Sequence, residues 1–70
     1  MDKPLTTRQS EVLNEIRSFI QIHGYSPTVR DIAKLTGIKS TNGVRWHLKA
    51  LEKKGEIIRH KSISRGLVLR

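Results

Sequence analysis

The sequence of 70 residues contains no cysteine, two prolines and three aromatic residues. Without cysteine the chain can form neither a disulfide framework nor a thiolate metal site, which is compatible with a reducing cytoplasm. Its apolar runs are too short to cross a bilayer, and Met1 to Pro4 lack the basic-then-apolar order of a signal peptide. These absences predict a soluble protein that is not exported.

Acidic residues are also scarce, since 6 Asp and Glu stand against 14 Lys and Arg and leave a formal net charge of +8. The excess lies in the second half: residues 1–24 carry no net charge, residues 25–37 carry +1, residues 38–55 carry +4 and residues 56–70 carry +3. A neutral first segment before a basic remainder indicates one polyanion-binding face on a scaffold.

A first helix is predicted over about residues 7–23. Thr6 is suited to cap it, and Gln9 three residues later completes a reciprocal capping box. Apolar residues then recur at three- and four-residue steps and predict one stripe that faces the core. The stripe consists of Val12, Leu13, Ile16, Phe19 and Ile20. His23 falls on the same stripe, so we expect a hydrogen-bonded core or boundary histidine there and not a metal ligand.

A second helix is predicted over about residues 28–36, because Thr28 and Asp31 have capping-box spacing. Ala33 is small, and Gly37 follows four residues later. In a helix-turn-helix a small residue lets two helices cross closely and a glycine supplies the turn. The pair is a weak signal alone, and it gains weight because another amphipathic helix follows.

That third helix is predicted over about residues 41–54, ending before Gly55. Val44, Leu48 and Leu51 fall within about 40° of one another on a helical wheel and form its anchor to the core. The opposite side is cationic and polar. It carries Asn42, Arg45, Trp46, Lys49 and Lys53. Trp46 is therefore predicted to be exposed, and this side favours contact with a polyanion.

A two-stranded wing is predicted over about residues 56–70, with a turn at residues 61–64 and a returning strand at residues 67–69. The pair Ile57-Ile58 does not alternate, and a lone hairpin is marginal in water, so Ile57, Leu67 or Leu69 must pack on the helices. Residues 1–70 thus predict a single domain, mainly α with a small β-hairpin: a three-helix winged helix-turn-helix.

The chemistry of the side chains predicts which residues of this fold contact DNA. In a major groove, Arg45 is suited to guanine, Asn42 to adenine and Trp46 to a thymine methyl or a sugar. Phosphate contacts are expected from Thr28 and Arg30 at the start of the second helix, from the wing, and from lysines of the third helix region. The lysines are Lys39, Lys49, Lys53 and Lys54, and the wing residues are Lys61 and Arg65.

Plain alternatives stay open for several of these residues. Lys53 and Lys54 can be solvated cations at a helix C-terminus, where the helix dipole favours them. Arg30 can pair with Asp31 or Asp2, and Asn42 can take part in the cap of its helix.

Four segments resemble the N-terminal DNA-binding domain of the LexA repressor family and keep its register over nearly all of the chain. They are residues 5–9 (LTTRQ), 24–33 (GYSPTVRDIA), 47–55 (HLKALEKKG) and 64–66 (SRG). The resemblance implies a bacterial or phage repressor that binds inverted-repeat double-stranded DNA operators as a homodimer, is monomeric or weakly dimeric when free, and regulates DNA-damage-response (SOS) genes in the cytoplasm. It also implies which residues read bases: Ser40, Asn42, Gly43, Arg45 and Trp46.

The resemblance has two limits. Branches of the family differ at the positions of Gly43, Arg45 and Trp46, so it does not predict the operator sequence. Intact family members also carry a C-terminal peptidase domain with a serine-lysine dyad. The chain ends at Arg70 before any such domain, so we expect an isolated domain of a longer repressor or a short phage-like relative.

Other function classes fit less well. No phosphate loop or nucleophile motif is present, and three scattered histidines make no zinc site, so we expect no enzyme, cofactor or metal. A winged-helix protein-interaction module would favour an apolar hot-spot cluster on the third helix. A nonspecific RNA or single-strand binder would need several exposed aromatic residues for stacking.

Overall fold

The order of elements in the computed structural model, which describes residues 4–60, 62–63 and 65–70, is three helices followed by two strands. The helices are α1 (Thr7–His23), α2 (Val29–Thr36) and α3 (Thr41–Lys53), and the strands are β1 (Ile57–Arg59) and β2 (Leu67–Leu69). The strands pair antiparallel in a two-stranded sheet. Three helices and a hairpin confirm the fold class predicted from the sequence.

Each of the first two helices begins with a capping box formed by its own sequence. The Gln9 amide donates to Thr6 Oγ1 and the Thr6 amide to Gln9 Oε1, both at 3.1 Å. At α2 the Asp31 amide donates to Thr28 Oγ1 at 3.1 Å and the Thr28 amide to Asp31 Oδ2 at 3.0 Å. Gly37 ends α2 in the left-handed conformation with φ 74°, which glycine adopts without steric cost. These local features hold the short α2 in register for α3.

Residues from all three helices and both strands form one apolar core. Its buried members among the described residues are Val12, Leu13, Ile16, Ile32, Val44, Leu48, Leu51, Ile57 and Leu67. Ala33 and Ile38 pack against it partly buried, as expected where α2 and α3 approach closely. The anchor predicted for α3 therefore points into the core.

The prediction for His23 as a core or boundary histidine is wrong. His23 is exposed, and its ring packs on Phe19 and Tyr25 with centroids 4.2 and 5.6 Å away. The core beneath α1 extends only as far as Ile20, which is partly buried. The last turn of the stripe therefore projects past the core, where the rings of Phe19, His23 and Tyr25 pack on one another.

The pairing of the two strands of the wing shows which of the adjacent residues Ile57 and Ile58 faces the core. Ile57 lies opposite Leu69 and Arg59 opposite Leu67. Since successive side chains of a strand point to opposite faces, these residues share the face that packs on the helices, whereas Ile58 is exposed. The hairpin closes at Gly66, where a Cβ would lie 2.5 Å from the His60 carbonyl oxygen, so only glycine fits.

We expect Leu51→Ala to lower the free energy of unfolding by about 2–5 kcal/mol, because it leaves a cavity at a fully buried position of α3. The matched control is Leu35→Ala on α2, whose side chain is exposed and whose loss should cost about 0.5 kcal/mol. Urea unfolding followed by circular dichroism measures both. Equal losses would contradict the described core.

Candidate nucleic-acid interface

Helix α3 has one buried side and one exposed side. Val44, Leu48 and Leu51 are sealed in the core, while the indole of Trp46 is 68% exposed. The side chains predicted to accompany it are exposed as well: Asn42, Arg45, Lys49 and Lys53. The exposure predicted for Trp46 is confirmed, and α3 presents an amide, an indole and three cations to solvent.

The start of α3 combines a cap with a close approach. Ser40 Oγ accepts a hydrogen bond from the Asn42 amide at 3.1 Å, so the cap uses only the backbone of Asn42 and leaves its carboxamide exposed. A Cβ on Gly43 would lie 3.0 Å from Ile38 Cγ2. Of the predicted base-reading set, Ser40 therefore serves as the N-cap and Gly43 lets the helix approach Ile38.

Most cations on and around α3 have no partner among the residues that the structure describes. The side chains of five of them form no hydrogen bond or ion pair within residues 4–60, 62–63 and 65–70. They are Arg30, Lys39, Arg45, Lys49 and Lys53. Asp31, one of the two possible partners of Arg30, instead pairs with Arg65 at 3.3 Å. The other, Asp2, lies outside the described residues. Cations that no internal carboxylate neutralises are available to the phosphates of a nucleic acid.

Two other cations hold the helices together. Lys54 Nζ donates to Gln9 Oε1 at 2.6 Å and to the Pro4 carbonyl at 3.0 Å. Arg8 Nη2 donates to the carbonyl of Thr36 at 3.0 Å, at the C-terminal end of α2. The ammonium of Lys54, expected at a phosphate, is thus engaged with the start of α1.

Arg65 connects the wing to the turn before α2. Its Nη1 donates to the Ser26 carbonyl at 2.8 Å and to Asp31 Oδ2 at 3.3 Å, and its guanidinium lies 4.6 Å from the ring centre of Tyr25. In return, the Ser26 hydroxyl donates to the Arg65 carbonyl at 2.6 Å. Arg65 therefore orients the wing. Lys61, the other wing cation predicted to bind DNA, lies outside the described residues.

A groove of about 530 Å³ lies between the start of α2, the flank of α3 and the wing. Four cationic or titratable nitrogen side chains line it: Arg30, Arg45, Arg59 and His60. Its apolar lining includes the buried Ile32, Leu48 and Leu67, and Thr28 lies at its edge. No Asp or Glu is among the described residues that line it. We call it the arginine groove.

Neither Arg59 nor His60 is among the residues predicted from the sequence to contact DNA. The signal that identifies Arg59 is its two-residue spacing from Ile57, since that spacing puts both on the face of β1 that packs on the helices. His60 follows at the end of the strand.

A cluster of metal-ligand residues and a membrane-spanning helix are both absent from the described part of the chain. Its residues contain no group of three or more His, Cys, Asp or Glu able to hold a metal ion. None of its helices combines the length and apolarity needed to cross a membrane.

A helix-turn-helix formed by α2 and α3, a supporting α1 and a β-hairpin after α3 define a winged helix-turn-helix domain, here with a cationic third helix. Comparison with known proteins gives the family. The family described as LexA DNA binding domain matches residues 2–66, and the chain belongs to it. It is a DNA-binding domain of the LexA type.

Curated LexA repressors are similar to it over most of its length. The repressor of Anaeromyxobacter dehalogenans (strain 2CP-1 / ATCC BAA-258) is 55% identical over 64 residues, which are 91% of this chain and 28% of that repressor. That of Sorangium cellulosum (strain So ce56) is 52% identical, covering 90% and 27%. That of Methylococcus capsulatus (strain ATCC 33009 / NCIMB 11132 / Bath) is 48% identical, covering 96% and 33%. The chain spans a third or less of these relatives.

The contacts of Asp31 predict a pH dependence of stability. The Thr28 amide that donates to its carboxylate lowers the pKa of Asp31, Arg65 acts in the same direction, and desolvation opposes both. Because the pKa of Asp31 is lower in the folded state, ionised Asp31 stabilises the fold above about pH 4, and this contribution is lost as the pH falls through the folded pKa.

We therefore expect Asp31→Asn to unfold at lower urea concentration than the wild type at neutral pH. The difference in the free energy of unfolding should shrink as the pH falls below about 4, where Asp31 of the wild type takes up a proton. Urea titrations across the acidic range measure it. A difference that stays constant over that range would show that the charge of Asp31 contributes nothing.

Proposed function

We propose that this chain is the part of a transcriptional repressor that binds its operator in a sequence-specific way. In this proposal α3 lies in the major groove of double-stranded DNA. The observation that carries the proposal is the exposed side of α3. There Arg45, Lys49 and Lys53 have no hydrogen bond or ion pair among the described residues, and the indole of Trp46 is open to solvent. The similarity to proteins named LexA repressor supports it. The genes controlled are those of the DNA-damage (SOS) response, in the cytoplasm of a bacterium.

Base recognition falls to the first two turns of α3. The exposed guanidinium of Arg45 donates two hydrogen bonds to guanine O6 and N7, and the free carboxamide of Asn42 pairs with adenine N6 and N7. Each such pair discriminates by about 1–3 kcal/mol. Trp46 packs on a thymine methyl or a sugar. Ser40 and Gly43, the other two positions at which the resemblance to the LexA family implies base reading, lie at the same end of α3.

Backbone contacts fix the register on the duplex. Lys39, Lys49 and Lys53 hold phosphates on the two sides of α3, and Thr28 with Arg30 holds one at the start of α2, where the helix dipole favours an anion. The bonds of Lys54 and Arg65 within the protein support a positioning role for these two residues, with Lys54 holding α3 and Arg65 holding the wing.

The operator is an inverted repeat, and one copy of the chain reads each half. A two-fold arrangement of copies mirrors the symmetry of such a site. The chain is monomeric or weakly dimeric when free and pairs on DNA.

Selection of bound sequences from a random duplex pool tests the function. We expect an enriched inverted repeat whose half-sites contain a guanine and an adenine at fixed spacing. Recovery of unrelated sequences in proportion to the input pool would leave only nonspecific binding and would contradict the proposal.

Arg45→Ala should relax discrimination at one base pair of the selected operator by about 1–3 kcal/mol, because the bidentate contact to guanine is lost. Binding to unrelated duplexes should change little. Fluorescence anisotropy with the operator and the three variants that differ from it at that base pair measures this. Arg17→Ala, which removes an exposed arginine of α1, is the control. Equal weakening on all sequences would restrict Arg45 to backbone contact.

Lys53→Ala should weaken binding to every duplex alike and reduce the slope of log affinity against log salt by about 0.9, the value for one phosphate contact. Lys54→Ala is the matched control, since the neighbouring ammonium is bound to Gln9 and Pro4, and it should lower stability while keeping the slope. An unchanged slope for Lys53→Ala would make Lys53 a solvated residue.

A further inference from the structure

The arginine groove concentrates positive charge from three separate elements. Arg30 belongs to the first turn of α2, Arg45 to α3, and Arg59 to the inner face of β1. None of these guanidiniums has an ion-pair partner within the part of the chain that the structure describes. Placing three like charges around one groove disfavours the free protein by repulsion, and an anion bound in the groove removes that cost.

The dimensions of DNA indicate which anion reaches it. An α-helix with its side chains is about 10–12 Å across and the major groove is about 12 Å wide, so a helix in the groove has a sugar-phosphate backbone close to each flank. Arg45 and Leu48 lie on the flank of α3 that lines the arginine groove. A DNA strand beside that flank would lie next to the groove that Arg30 and Arg59 also line.

We propose that the arginine groove is a binding site for one strand of DNA backbone, in which Arg59 of the wing and Arg30 of α2 contact the same or neighbouring phosphates. The inference rests on the proposed duplex binding and adds a backbone site between the recognition helix and the wing. Arg45 stands at its border, where its guanidinium turns toward the bases.

The apolar lining suits the sugar that joins two phosphates. Between the charged residues the exposed side chain of Ile63 lines the groove, with the buried Leu48 and Leu67 beneath it, and a deoxyribose presents carbon-rich faces. A groove with charged walls and an apolar floor matches a chain of alternating phosphates and sugars better than it matches a free inorganic anion, which would leave the floor uncovered.

Neutral backbone substitutions test the site one phosphate at a time. In the selected operator, single phosphates are replaced in turn by uncharged methylphosphonates, and the Kd is measured for the wild type, Arg59→Ala and Arg30→Ala. We expect Arg59→Ala to bind the unmodified operator about tenfold more weakly. One methylphosphonate position should weaken the wild type by a similar factor and leave Arg59→Ala unchanged. The Kd of Arg30→Ala should not change when the methylphosphonate is placed at that position or at the adjacent phosphate.

Two further variants control for folding and for general charge. Arg59→Gln keeps much of the aliphatic stem that packs beside Leu67 and should reproduce the effect of Arg59→Ala with native circular dichroism. Arg17→Ala removes one positive charge from α1, outside the groove, and should remain sensitive to every methylphosphonate that weakens the wild type.

The outcomes separate this inference from the function on which it rests. If every methylphosphonate weakened the wild type, Arg59→Ala and Arg59→Gln by the same factor, the groove would hold no DNA phosphate and the inference would be overturned, while operator binding stood. If Arg59→Ala bound the unmodified operator with the same Kd as the wild type, the inference would be overturned as well. An acidic protein segment would then be the remaining candidate ligand of the groove. If the wild type enriched no sequence from the random duplex pool, the proposed operator binding itself would be contradicted.

Discussion

Burial of the aliphatic side of α3 is the constraint on which the rest of the structure depends. A helix of 13 residues is marginal in water by itself, so α3 is held by the packing of Val44, Leu48 and Leu51 against the other helices and β1. Those three residues also set the rotation of the helix about its axis. The exposure of its amide, indole and cations follows from that rotation, so the same contacts stabilise the fold and aim the candidate binding surface.

Cationic residues of the same type do two different kinds of work in this chain. Arg8, Lys54 and Arg65 donate to carbonyl, amide or carboxylate oxygens and join segments that are far apart in the sequence. Lys49 and Lys53 make no such contacts within the described residues. The net charge of +8 therefore does not tell how many cationic groups are free to hydrogen-bond with a partner. The arrangement of acceptors around each cation decides whether it holds the scaffold or faces the solvent.

Features set by neighbouring residues were predictable from the sequence, and those set by distant ones were not. The capping boxes at Thr6 and Thr28 and the outward orientation of Trp46 follow from spacing along one helix. The bonds of Lys54 and Arg65 join residues 45 and 39 positions apart, and no local pattern encodes such a meeting. The spacing of Arg59 from Ile57 puts both on one face of β1, but only the pairing with β2 and the packing on the helices show that this face is the inner one.

The exposed indole of α3 has a practical consequence. Trp46 is the only tryptophan in the chain, and it lies on the outward side of the helix with 68% of its surface in water. Its fluorescence therefore arises from the candidate interface alone, with no background from a second indole in the core. The protein carries a built-in optical reporter at this surface, and its emission follows what approaches α3 without any attached label.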